Sequence, residues 1–153
     1  MIKLINLLKE VGEATSQIYP WKISSTEGET IYYTFQTNSD LDYKVSISYF
    51  EYDDYGTYIP AIDVAFAVKT DKEFSTSALT NKGELYSIMA TVVDIIKNYI
   101  SKNSNIKIII YTPEKKDKNF GKQRNKLYSA FVKNQIPGAT IEEFYDDVII
   151  RIP

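Results

Sequence analysis

The chain contains no cysteine and no histidine. The first absence excludes disulfides, thiolate nucleophiles and zinc–thiolate sites, and it permits a cytosolic setting. The second removes the commonest general base, the commonest transition-metal ligand and the usual partner of a serine nucleophile. Any catalysis would fall to carboxylates, tyrosines, lysines or backbone dipoles. No charge of one sign dominates: 18 basic residues against 20 acidic ones leave a formal net charge of -2. No global field therefore draws the protein toward nucleic acid or anionic lipid. Long apolar runs are also missing. Stretches such as Ile108 to Tyr111 and Val148 to Ile150 fall far short of the ~20 residues that span a bilayer. Met1 to Val11 alternates Ile2, Leu4, Ile5, Leu7 and Leu8 with Lys3, Asn6, Lys9 and Glu10, which predicts a short amphipathic helix rather than the continuous apolar segment of a signal peptide.

Regular alternation is plentiful. At 153 residues, with no repeat, low-complexity tract or linker, the expectation is a single domain over 1–153. Trp21 to Ser24 reads as a short strand ended by a polar turn. Thr30 to Thr37 and Tyr43 to Tyr52 are rich in β-branched and aromatic residues, and Val45, Ile47 and Tyr49 alternate with Lys44, Ser46 and Ser48. A turn at Asp53 to Thr57 leads to Ile59 to Lys69, where Ile62, Val64, Phe66 and Val68 alternate with Asp63, Ala65 and Ala67. The alanines suggest close packing on that strand's second face, as when a helix covers it.

From Thr80 the spacing changes. Leu85, Ile88, Met89, Val92, Val93, Ile96, Tyr99 and Ile100 recur every three or four residues, which predicts a helix over 84–101 with Asn81 as its N-cap. Ile106 to Thr112 follows as a buried strand stopped by Pro113. Phe120, Leu127, Tyr128, Phe131 and Val132 predict a second amphipathic helix over 119–135, ended by Pro137-Gly138. The last residues read as a hairpin, Thr140 to Tyr145 and Val148 to Ile152, turning at Asp146-Asp147.

Three acidic pairs, Asp53-Asp54, Glu142-Glu143 and Asp146-Asp147, have the chemistry to hold a divalent metal or exchange protons. Two of them sit in expected turns, where aspartate is favoured for bonding nearby backbone. Asp63 with Glu114 and Lys116 would be the minimum for a metal-dependent nuclease, but the charge balance offers no duplex-binding surface. The 13 tyrosines and 7 phenylalanines suit half-buried strands, and their surplus favours a protein-binding face over base stacking.

Taken in order, strand Ile59 to Lys69, Gly83, helix Glu84 to Ser101, strand Ile106 to Thr112, helix Asn119 to Gln135 and the terminal hairpin resemble the core of the GNAT acetyltransferase superfamily. The resemblance implies an α+β fold, a mostly antiparallel central sheet with helices packed on it, in the order β-β-β-α-β-α-β-β after a short N-terminal helix. It also implies an acetyl-CoA site at Lys82 and Gly83, where backbone N–H groups would meet the pyrophosphate. Asp63 would be the catalytic base, and Tyr128 of the Leu127-Tyr128 pair the acid. Glu84 and Leu85, however, stand where that family's turn is small and receptive to anions. Gly83, Tyr86, Thr91, Val92, Ile95, Ile96, Arg124, Leu127 and Tyr128 also form a pattern similar to small proteins encoded by tailed bacteriophages. The expectation is therefore a phage-type, GNAT-like protein without a cofactor, active as a virion component or host-directed accessory factor in the virion or host cytoplasm. Its partner would be a protein, either another virion protein or a second copy, and not membrane or nucleic acid. The alternative is an acetyl-CoA-dependent N-acetyltransferase using Asp63, Tyr128, Lys82 and Gly83.

Overall fold

The structure is a computed structural model that describes residues 17–70, 73–75, 82–111, 134, 136–144 and 147–153. Among the described residues, eight strands, β1 (Trp21–Glu27), β2 (Thr30–Gln36), β3 (Asp42–Asp54), β4 (Thr57–Thr70), β5 (Glu73–Ser75), β6 (Ile108–Tyr111), β7 (Thr140–Phe144) and β8 (Asp147–Arg151), form one sheet with one long helix, α1 (Lys82–Lys102). Seven strands run in the order β1-β2-β3-β4-β6-β8-β7, and β5 pairs with β4 off that path. All neighbours are antiparallel except β4 and β6, which are joined through α1 and run parallel. A parallel neighbour needs a crossover of a dozen residues or more, and α1 supplies it.

The register fixes what each face carries. Trp21, Phe35, Tyr43 and Val68 share one row, Tyr33, Val45 and Phe66 the next, and Ile62, Ile109, Ile150 and Ile141 a third, all on the face that packs with α1. Ile88, Met89, Val92, Val93, Ile95, Ile96 and Tyr99 of α1 are buried in the same cluster. Aromatic side chains fill the open end of this layer. Phe35 stacks on Tyr43 with centroids 5.2 Å apart, and Trp21 meets Tyr33 edge-on at 5.6 Å, both preferred ring geometries. Polar groups pin the entering chain to the helix. The Trp21 Nε1 donates to Asp94 Oδ2 at 2.9 Å, and the Tyr19 amide donates to Thr91 Oγ1 at 2.9 Å. Asn103 closes α1, its Nδ2 donating to the Tyr99 carbonyl at 2.9 Å, so an otherwise orphaned carbonyl is satisfied.

This architecture corrects the expected fold. The GNAT-like α+β order with several helices on a mostly antiparallel sheet is replaced by a mixed sheet in which five strands precede α1, the only long helix among the described residues. Alternation located the strands, but it did not reveal that Trp21 begins a full outer strand or that β5 extends the sheet. Residues 1–11 and most of 119–135, where two further helices were expected, lie outside the described residues. The alanine rule for β4 also fails over most of its length. On the second face Ala61 is buried, whereas Asp63 and Ala65 are exposed, and no described helix covers them. Gly83 lies within the first turn of α1 rather than in a turn ahead of it.

Candidate functional site

The β3–β4 hairpin outruns its neighbours. β2 pairs with β3 only as far as Ser48, with a last bond from the Tyr49 amide to the Glu29 carbonyl at 3.0 Å, and β6 joins β4 only from Ala61, with a last bond from the Lys107 amide to the Pro60 carbonyl at 3.0 Å. Residues Phe50 to Pro60 therefore form an arm, paired within itself down to Asp54 and Thr57. Its turn has positive φ at both central positions, 53° at Tyr55 and 90° at Gly56. That is the two-residue geometry whose twist matches the flanking strands. The Asp53 carboxylate accepts the Gly56 amide at 2.8 Å and braces the turn.

Gly56 suits its backbone, but Tyr55 does not. A left-handed conformation costs an L-residue with a Cβ roughly 1–2 kcal/mol, and a bulky side chain there is an outlier. Tyr55 recovers nothing by burial, since it is 104% exposed. Tyr58, opposite Asp53, is 66% exposed. Alternation gives the arm two faces: Glu51, Asp53 and Tyr58 point outward and are exposed, while Phe50, Tyr52, Asp54 and Ile59 are partly buried on the other side.

That inner side is docked. Phe50, Tyr52 and Ile59 pack against a second apolar cluster of Ala61, Ile108, Ile110 and Ile149. Arg151 fastens it: its Nη2 lies 3.5 Å from Asp54 Oδ1, its Nε donates to Glu142 Oε1 at 3.2 Å, and its guanidinium sits 6.0 Å from the Tyr52 ring centre. β8 and β3 are three strand spacings apart in the sheet order, about 14 Å in a flat sheet and beyond the reach of one side chain. The contact requires the arm to coil over the second face, as strong sheet twist allows. Burial works against the Arg151 charge, but Glu142 and Asp54 outweigh it and hold the guanidinium's pKa above its ordinary value.

Of the residues expected to carry chemistry, Asp63, Lys82 and Gly83 lie among the described residues. Asp63 is exposed on the face away from the α1 layer, between Ser48 and Ile110 in the register. Lys82 and Gly83 begin α1. Tyr128, Glu114 and Lys116 lie outside the described residues. Of the acidic pairs, Asp53 braces a turn while Asp54 and Glu142 hold Arg151, and no group of three acidic residues suited to a metal occurs among the described residues. No described helix is long and apolar enough to cross a membrane.

A cavity of about 540 Å³ opens where β1 to β4 meet at the end remote from the arm, lined by Lys22, Thr34, Gln36, Asp42 and Lys69 among others. Both lysines are exposed, and Gln36 already donates to Asp42 at 3.3 Å. Of these polar lining residues Thr34 is half-buried, and Lys22, Gln36, Asp42 and Lys69 are exposed. Tyr55, Tyr58 and Arg151 were not apparent as site residues from spacing. The sequence signal for the first is a tyrosine before glycine in an aspartate-rich turn, where asparagine or aspartate is the usual choice. Comparison with known proteins gives no matching family model and no matching curated protein.

Proposed function

We propose that this chain is a non-catalytic protein-binding module whose contact surface is the tip and outer face of the β3–β4 arm, formed by Tyr55 and Tyr58 within an acidic rim of Glu51 and Asp53. The observation that carries this reading is Tyr55 itself. Its backbone conformation is unfavourable and its side chain is fully exposed, so folded-state stability gives no reason for a tyrosine there. Tyrosine is a common interface anchor because it offers large contact area at small entropic cost. The arm adds preorganisation: its turn is braced by Asp53 and its inner face is fixed by Arg151, so little order remains to be gained on binding. A partner should present an apolar pocket with basic residues around it. A role as a virion component or host-directed factor rests on the sequence resemblance alone.

The test is affinity capture with the wild type, a Tyr55→Ser/Tyr58→Ser variant and a surface control, Ile18→Ser, whose residue is exposed and lies outside both the arm and β1, after circular dichroism establishes that all three fold alike. Loss of both anchors should weaken capture of a specific partner by about tenfold or more, with the control unaffected. Equal capture by the tyrosine variant would overturn the assignment of the arm.

A further inference from the structure

The outermost strand, β1, has neighbours on one side only among the described residues, and its side chains from Lys22 to Glu27 are all exposed. Ile23, a large apolar residue, is 51% exposed. An open edge of this kind offers backbone donors and acceptors to another strand. Its sequence carries opposite charges near its two ends, Lys22 and Glu27. In a regular strand, residues five apart point to opposite faces. Here an irregularity between Ile23 and Ser25 restores the match. Lys22 stands opposite Thr34 and Glu27 opposite Thr30, so both lie on the sheet's second face, while Ile23 opposite Tyr33 and Thr26 opposite Ile31 lie on the first. The bulge inserts the one residue needed to make the strand self-complementary.

We propose that β1 pairs antiparallel with β1 of a second copy of this chain, about a two-fold axis between Ser24 and Ser25. Lys22 then faces Glu27 of the other copy twice over, Ile23 faces Thr26 on the opposite side, and the open backbone groups gain strand partners. Edge lysines and bulges commonly deter pairing with unrelated strands. In this register the lysine meets a carboxylate, and the two bulges lie level with one another. The interface is isologous, as closed dimers require, and it lies on a different strand pair from the β3–β4 arm.

Sedimentation equilibrium from about 10 μM to about 1 mM covers the range where a small interface fills a dimer. The wild type should populate a dimer that weakens at high salt. Lys22→Glu and Glu27→Lys, each of which creates two like-charge contacts, should each weaken it by about tenfold. The double swap should restore it, as should an equimolar mixture of the two single variants. Tyr55→Ser/Tyr58→Ser should dimerise like the wild type, which separates this inference from the arm's proposed role. A wild type that stays monomeric throughout, or a double swap no better than the single variants, would overturn it.

Discussion

On the face beneath α1, burial is achieved by area: aromatic rows from β1 to β4 and isoleucines from β4, β6 and β8 meet a helix buried round most of its circumference from Ile88 to Ile96. Among the described residues, the other face of the same sheet has no such cover. Its apolar patch among those residues is Ala61, Ile108, Ile110 and Ile149, and the inner side of a hairpin belonging to the sheet packs on it, fastened by one arginine. The first arrangement stabilises the fold, and the second positions a structure. A hairpin that only completed a core would not carry an exposed, strained tyrosine at its tip.

The contrast is open to attack at its strongest point first. Ile96 is fully buried under the sheet, and Ile96→Ala should cost about 3–4 kcal/mol in denaturant unfolding. Ile149→Ala, in the arm-covered patch where collapse of the hairpin can refill space, should cost about 2 kcal/mol. Equal losses at the two sites would mean that the faces do not differ in kind.

A pH measurement sharpens the same division. Tyr33 lies in the helix-covered core, and burial, aided by nearby Tyr99, pushes its pKa up to about 12 from 10. Tyr99 is raised in the same direction, by burial first and then by Glu29 and Tyr49. The folded state thus holds these protons more tightly than the unfolded chain. The resulting stability is fully present below pH 10 and is lost as pH rises toward 12, by roughly 2 kcal/mol for Tyr33. Tyr33→Phe should flatten the fall in stability between pH 10 and 12. An unchanged slope would place the phenol in contact with water.

Much of this was legible in residue spacing, and the reasons for the rest are physical. The strands lie close to where alternation set them, and α1 begins at Lys82 and ends at Lys102 against an expected 84–101. Periodicity reports which side chains turn inward, not how strands are ordered or how many helices cover them. The expected order of elements, read as similar to that of acetyltransferases, therefore implied a different layering. Asp63 stood out as an acid within an apolar strand, yet its face is simply exposed there. The arm's docking depends on Arg151 meeting Asp54, 97 positions away in the chain, a contact set by sheet coiling that no local pattern encodes. Tyr55 was hidden differently, because its turn was legible while the exposure of its ring was not.

The smallest energetic effect belongs to the fastener. Because Arg151 and its partners are partly exposed, Arg151→Met should lower global stability by less than about 1 kcal/mol, while releasing the arm. Nuclear Overhauser contacts between the Tyr52 ring and the Arg151 side chain, and between Phe50 and Ile108, measure that docking directly. They should be present in the wild type and weakened or lost in Arg151→Met, with the helix-covered core unchanged. Their absence from the folded wild type would contradict an arm held over the second face, and with it the preorganised tip.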